Sequence, residues 1–201
     1  MTVKKLSTST TVAESLPSDA ALVSRALNGD GWAEEAIFRR HVHFVTSLAA
    51  KLLRRQSEVE DVVQDTFLQA FRDLHKLIIP ARLKHWLASI TVHRANALYR
   101  RRRIKQFLGL DGGVDDERLC EQLRVDASQE IVMELCLLDS VFDKLSASER
   151  TCWVLRKFEE YRLVEIAAIT GLSLATTKRR ITSANNKVNE YLAQKGVRPC
   201  K

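Results

Sequence analysis

The chain has 201 residues, of which 45% are hydrophobic and 28% are charged, and its formal net charge is +7. This length allows one domain or two small ones. No apolar stretch approaches the ~20 residues of a membrane span, and residues 1–6 are not followed by the apolar core of a signal peptide. We therefore expect a soluble, cytoplasmic protein whose positive charge favours an anionic partner, either nucleic acid or a membrane surface.

Helical spacing of apolar residues recurs along almost the whole chain, and alternating β-branched runs are absent, so the predicted fold class is all-α. Residues 1–18 are rich in Ser and Thr and are predicted to be a disordered tail. A first helical domain is predicted over residues 19–106. Its first helix ends at Asn28, its third opens with a capping-box pattern, Ser57-x-x-Glu60, and its fourth runs from about Leu83 into an arginine cluster.

Charge is segregated around this fourth helix. Residues 74–110 contain no Asp or Glu but nine Lys and Arg, with four consecutive arginines at residues 100–103. Residues 111–130 then contain seven acidic residues. Unopposed positive charge at fixed positions is what a protein needs to hold a polyanion. By itself, the arginine cluster also fits a solvated helix end or a patch that binds RNA or membranes.

An acidic linker is predicted over residues 107–129, followed by a second helical domain over 130–195 and a tail over 196–201. In this domain, Ser146-x-x-Glu149 predicts a second capping box. A short helix ends at Gly171, which suits a left-handed cap, and Ser173 is the expected N-cap of a last long helix. Short helix, glycine turn and longer helix form the helix-turn-helix pattern, although a purely structural hairpin has the same spacing.

Four cysteines are present, at positions 120, 136, 152 and 200. They form no CxxC pair, and no histidine lies at a zinc-ligand spacing from them, so we expect unpaired thiols in a reducing compartment. The five histidines have no paired carboxylate cluster, and no phosphate-binding glycine loop is present. The sequence therefore predicts no catalytic residue, no metal and no cofactor, which argues against a nucleic-acid enzyme.

Two groups of motifs resemble one family in the same order along the chain. Residues 61–71 (DVVQDTFLQAF) and 84–90 (KHWLASI), followed by the arginines, resemble the second conserved region of bacterial RNA polymerase sigma factors. Residues 145–150 (LSASER), 164–172 (VEIAAITGL) and 176–180 (TTKRR) resemble their fourth region. With only two regions and a linker, the chain is similar to the extracytoplasmic-function subgroup of the sigma-70 family. Family members commonly carry arginines near Ser183 and Asn185.

The resemblance implies which residues contact each partner. The third helix would bind the clamp helices of the largest polymerase subunit, and the flap of the second-largest subunit would be a further contact. The loop over residues 75–82 would help to hold a flipped promoter base. The residues expected to bind core polymerase are Asp61, Gln64, Asp65 and Leu68. Those expected at the minus-ten element are Arg82, Lys84, Arg100, Arg101, Arg102 and Arg103. Those expected at the minus-35 element are Ser173, Thr176, Thr177, Lys178, Arg179 and Arg180.

The resemblance thus implies an alternative sigma factor, without enzymatic activity of its own, that directs RNA polymerase core to promoters under stress or another signal. An anti-sigma protein is a common family partner, and nothing in this sequence identifies one. The alternative hypothesis is a free-standing helix-turn-helix transcriptional regulator that binds duplex DNA without polymerase.

Overall fold

A computed structural model describes residues 17–53, 55–108 and 140–196. Every regular element in these ranges is helical, which confirms the all-α prediction. The predicted tail up to residue 16, the acidic linker from residue 109 and the start of the second domain lie outside the described residues. The α-helices are α1 Asp19–Leu27, α2 Gly31–Leu52, α3 Gln56–Asp73, α4 Leu83–Phe107, α5 Ala147–Lys157, α6 Leu163–Thr170 and α7 Leu174–Gln194.

Local capping residues set most of the helix ends. Ser146 and Glu149 form the predicted capping box at the start of α5, each side chain binding the other residue's backbone N–H. Gly171 ends α6 with a φ of 69°, a left-handed conformation that residues with a Cβ seldom adopt. Ser173 then caps α7 by accepting a hydrogen bond from the Thr176 N–H. These three predictions are confirmed.

The predicted capping box at the start of the third helix is wrong. Helix α3 begins one residue before Ser57, at Gln56, and Arg55 occupies the N-cap position without a side-chain cap hydrogen bond. Ser57 is therefore already a helical residue, where its hydroxyl cannot serve as the cap. The Ser-x-x-Glu pattern marks the first turn of this helix but not its boundary.

Helices α1 to α4 form an N-terminal block. Two one-turn 3₁₀ helices, Leu74–Lys76 and Pro80–Arg82, connect α3 to α4. The core lies between α2, α3 and α4, and α1 covers one end. Its largest fully buried side chains include Leu22, Ile37, Leu83 and Leu87. The block fixes α3 and α4 side by side, so that an outer face of each points away from the core.

Helices α5 to α7 form a C-terminal block that packs directly on the N-terminal one. Helix α5 crosses α7, and α6 lies between α7 and the N-terminal α4. One continuous cluster of buried side chains includes Val92 and Ala95 of α4 together with Leu155 of α5 and Ile166 of α6. The two predicted helical domains therefore share part of their hydrophobic core in this structure.

Candidate nucleic-acid and protein interfaces

The outer face of α3 is polar and carries one large apolar side chain. Asp61, Gln64 and Asp65 are exposed, and Leu68 beside them is 61% exposed. The opposite face of the helix is buried in the N-terminal core. The four residues predicted to bind polymerase thus lie together on one accessible face. An exposed leucine within a polar face can act as the hydrophobic anchor of a protein contact.

The sequence did not single out Arg94, which connects this acidic face to α4. Its guanidinium donates to the Asp65 carboxylate at 3.3 Å and to the Gln69 side-chain oxygen at 3.0 Å. A cleft of about 280 Å³ lies between α3 and α4, with Asp61, Asp65, Arg94 and Arg101 in its lining. The acidic face and the basic helix therefore meet along one groove.

Positive side chains on α4 differ in how far they are already engaged within the protein. Arg100 and Arg101 are exposed. Arg102 instead forms an ion pair with Glu58 at 2.8 Å, and its side chain is only partly exposed. The backbone of Arg103 is helical, but its side chain lies outside the described residues. Of the three arginines whose side chains are described, Arg100 and Arg101 are therefore the two that are exposed.

The start of α4 and the loop before it present a second positive surface. Arg82 and Lys84 are exposed, and the Lys84 ammonium lies 4.4 Å from the centroid of the Phe44 ring. Between the two 3₁₀ turns, Ile78 is 93% exposed and Ile79 lies next to it at the loop tip. The loop that the family resemblance assigns to a promoter base thus presents two apolar side chains flanked by cations.

The first turns of α7 carry the residues predicted for the upstream promoter element. Ser173, Lys178 and Arg179 are exposed, and Thr176 and Arg180 are half-buried. The Ser173 hydroxyl donates to the Thr176 hydroxyl and also accepts from its backbone N–H, so the capping interaction already engages both residues.

Thr177 is a correction to the predicted DNA contacts. Its side chain is fully buried in the C-terminal block, and its hydroxyl donates to the Ser173 carbonyl at 3.0 Å. It therefore points into the protein, and it cannot lie at a groove edge while α7 is packed as observed. The remaining five predicted residues lie toward or at the surface of the same helix end.

A buried ionic network holds α7 against α5. The Glu149 carboxylate accepts from the Ser183 hydroxyl at 2.7 Å and from the Lys187 ammonium at 2.8 and 3.0 Å. Burial raises the pKa of Glu149, but the hydrogen bonds from Lys187, Ser183 and Ser146 outweigh it and lower this pKa to about 2. Glu149 is therefore ionised at neutral pH, and it fixes the helix that carries Lys178 and Arg179.

Ser183 and Asn185 lie near positions where family members commonly carry arginines, and in this chain they have a structural role. Ser183 donates to Glu149, and the Asn185 side-chain oxygen accepts from the Trp153 indole N–H at 2.9 Å. Both residues thus join α7 to α5 instead of extending toward an external phosphate. Their sequence spacing gave no sign of this, because their partners lie more than thirty residues away.

Cys152 lies in the centre of the C-terminal block and is fully buried. Burial raises the pKa of its thiol to about 11, although the nearby charge of Arg180 acts in the opposite direction.

Among the described residues, no group of three or more His, Cys, Asp or Glu side chains is arranged to hold a metal ion. Within the same ranges, no helix combines the length and the hydropathy needed to cross a bilayer.

Comparisons with known proteins match both halves of the chain. The family model described as Sigma-70 region 2 matches residues 37–104, and that described as Sigma-70, region 4 matches residues 141–190. The RNA polymerase sigma factor CnrH of Cupriavidus metallidurans is 30% identical over 183 residues, which covers 87% of this chain and 94% of CnrH. The ECF RNA polymerase sigma factor SigE of Mycolicibacterium smegmatis is 27% identical over 168 residues, which covers 80% of this chain and 62% of SigE.

The fold is similar to that of a solved relative over nearly its whole length. The structure of CnrH in complex with the cytosolic domain of CnrY superposes with a TM-score of 0.64 at 25% sequence identity. The match covers 89% of this chain and 99% of that one. The similarity therefore spans both helical blocks.

Proposed function

The chain belongs to the sigma-70 family of RNA polymerase sigma factors, in its extracytoplasmic-function subgroup, and we propose how its two blocks divide the work of an alternative sigma factor. As such a factor it acts with RNA polymerase core and promoter DNA in transcription initiation. It supplies promoter specificity and no catalytic step of its own. Its site of action is the cytoplasm, and its promoters respond to stress or another signal.

The polymerase contact lies on the exposed face of α3. Asp61, Gln64 and Asp65 bind the clamp helices of the largest subunit through polar contacts, and Leu68 provides the apolar anchor. The observation that carries this assignment is the 61% exposure of Leu68 among accessible polar side chains. A single apolar group that becomes buried on binding, ringed by polar groups, is the usual anatomy of an interaction hot spot. The flap of the second-largest subunit is the further polymerase contact.

The minus-ten contact lies within residues 74–110, which contain no Asp or Glu. Arg100 and Arg101, with Arg82 and Lys84 at the other end of α4, bind phosphates of the melted strand and provide affinity without sequence information. The loop before α4 holds an unstacked base, and the contacts it makes must offset a few kcal/mol of lost stacking. Arg102 contributes less, because releasing it from Glu58 costs part of what a phosphate contact returns.

The minus-35 contact lies at the start of α7. Lys178 and Arg179 are the exposed cations there, and a recognition helix reads the major groove through its N-terminal residues. Arg180, Ser173 and Thr176 lie at the edge of this contact. The Glu149 network holds the helix from behind, so these side chains project from a rigid support. The proposed working domains are residues 19–106 and 130–195.

The decisive experiment is run-off transcription with purified RNA polymerase core on genomic fragments. A sigma factor makes transcription start at discrete sites only when both core and this protein are present. DNA binding that needs no core, together with unchanged transcription, would favour the free-standing helix-turn-helix regulator. A pull-down with the same full-length chain tests a further proposal, a regulatory protein partner comparable to CnrY on CnrH.

A further inference from the structure

The loop between α3 and α4 presents only apolar side chains at its tip. Leu77, Ile78 and Ile79 separate the two 3₁₀ turns, and Pro80 begins the second turn. Ile78 is 93% exposed and Ile79 is 48% exposed. Single exposed apolar side chains are ordinary at a protein surface, whereas adjacent ones on a projecting loop provide an apolar contact for a partner. We refer to Ile78 and Ile79 as the loop tip.

Backbone hydrogen bonds fix the loop tip from both sides. The Leu77 N–H donates to the Leu74 carbonyl at 3.0 Å and closes the first turn. The Arg82 N–H donates to the Ile79 carbonyl at 2.8 Å and closes the second. Because short-range bonds already define the backbone around the tip, little conformational freedom remains to be lost when a partner binds.

The charge around the loop tip favours a nucleic-acid strand as that partner. Residues 74–110 contain no Asp or Glu, and Arg82 and Lys84 are exposed just after the tip. Lys76, before the tip, binds the Asp73 carboxylate at 2.8 Å. A single strand whose phosphates lie on the cations after the tip would bring its bases against the tip itself.

The chemistry of the loop tip limits which base it can distinguish. Isoleucine side chains have no hydrogen-bond donor or acceptor, and Pro80 beside them has no backbone N–H. Each DNA base has polar groups on its edges, but only thymine also carries an apolar group, the C5-methyl. An apolar tip pressed against the amino group of adenine, guanine or cytosine would leave that group unpaired, at a cost in affinity. The tip is therefore suited to thymine.

We propose that Ile78, supported by Ile79, determines specificity at the minus-ten element by contacting the C5-methyl of one unpaired thymine in the melted strand. The inference rests on the proposed sigma-factor function and names the base that the loop before α4 holds. Uracil differs from thymine only in lacking this methyl group. Burial of one methyl group should make the promoter complex roughly three- to fivefold tighter with thymine than with uracil at that position.

The test uses the promoter fragment found by run-off transcription and the holoenzyme formed from core polymerase and the full-length chain. The fragment is made with mismatched strands across the minus-ten element, so that this region is already open. Each thymine of its non-template strand is replaced in turn by deoxyuridine, and filter binding measures the affinity. Because the strands are unpaired from the start, the effect of the methyl group on duplex stability does not contribute.

Three variants of the chain separate the loop tip from other exposed apolar residues. Ile78→Ala removes the proposed contact, and Ile78→Val keeps a branched apolar side chain. The matched control is Ile104→Ala, which makes the same change at a 59% exposed isoleucine near the other end of α4. Since Ile78 is almost fully exposed, its substitution removes little packing, and circular dichroism checks that the fold is unchanged.

We expect one thymine at which deoxyuridine weakens the wild-type complex roughly three- to fivefold. This preference should disappear in Ile78→Ala, remain in large part in Ile78→Val and be unchanged in Ile104→Ala. A wild-type complex that is insensitive to deoxyuridine at every position overturns the proposal. So does an Ile78→Ala variant that loses the same affinity with thymine and with uracil, because the tip is then an apolar wedge without base preference.

Failure of the underlying function gives a different result. If core polymerase and the wild-type chain produce no transcript with a discrete start, the sigma-factor assignment itself is wrong. If discrete transcripts appear but the preference for thymine does not depend on Ile78, the sigma-factor assignment stands and only the role of the loop tip is refuted.

Discussion

The two blocks use ionic side chains in opposite ways. In the N-terminal block, the carboxylates of the proposed polymerase contact lie at the surface. One of them, Asp65, accepts a hydrogen bond from Arg94 of α4. In the C-terminal block, the central carboxylate, Glu149, is buried and serves the packing of α7 on α5. Charge changes in the first block should therefore alter binding with little loss of stability. A charge change at Glu149 should instead lower the stability of the fold, with little direct effect on binding.

The largest expected effect is on polymerase binding. Reversing charge with Asp61→Lys and Asp65→Lys should weaken binding to RNA polymerase core by at least about a hundredfold, because cations would replace the two carboxylates of the proposed contact. Co-purification or surface plasmon resonance with core enzyme measures this effect. Glu35→Lys on α2 is the control, since it reverses one exposed charge away from α3. Equal binding by the double variant and wild type would remove α3 from the interface.

The next effect tests the C-terminal block through its stability. Glu149→Gln should lower the free energy of unfolding by about 3 kcal/mol at pH 7, since the pKa of this carboxyl falls from 4.5 to about 2 on folding. Urea unfolding at constant pH measures it. Because the folded-state pKa is lowered, this stabilisation is fully present above pH ~4.5 and is lost as the pH falls toward about 2. A variant as stable as wild type at pH 7 would contradict the role given to the network.

A smaller effect separates exposed from buried positions on α7. Arg179→Ala should weaken binding to the upstream promoter element by roughly 1–3 kcal/mol, the range of a specific base contact, with core binding unchanged. Thr177→Val should leave DNA binding intact, because its hydroxyl faces the Ser173 carbonyl inside the protein. Electrophoretic mobility shifts on an upstream-element duplex test both. A loss of DNA binding in Thr177→Val with an intact fold would restore Thr177 as a contact.

The smallest effect distinguishes two neighbouring arginines on α4. Affinity for the promoter complex falls as salt rises, and Arg101→Ala should make this dependence shallower. The magnitude of the slope of log affinity against log salt should decrease by about 1, as expected for one lost phosphate contact. Arg102→Ala should change this slope less, because Arg102 is already paired with Glu58. Filter binding over a salt series provides the slopes. Equal slopes for the two variants would mean that the ion pair opens freely on DNA.

Local signals in the sequence predicted much of the fold. Glycine at position 171 and the Ser146 capping box depend on neighbours within a few residues, and both appear as expected. The same kind of signal failed at Ser57, because a Ser-x-x-Glu pattern does not fix which residue of a first turn begins the helix. The burial of Thr177 depends on which face of α7 packs inward. The spacing of apolar residues along the sequence alone did not define that face.

The long-range interactions could not be predicted from the sequence, for a different reason. Glu149 meets residues 34 and 38 positions away, and Arg150 meets a carbonyl 98 positions away. Such pairs depend on how α5 packs on α7 and on the N-terminal block, which no local pattern specifies. The surface position of Asp61, Gln64 and Leu68 agreed with the pattern because an amphipathic helix fixes its own outer face.

The reactivity of the buried Cys152 thiol can report local opening of the C-terminal block. A thiol whose pKa is raised to about 11 is almost entirely protonated at neutral pH, and this one is also shielded from reagents. It becomes reactive when the surrounding helices come apart. The rate at which an alkylating agent labels Cys152, followed by mass spectrometry of its peptide, therefore measures how often the C-terminal block opens, without an engineered labelling site.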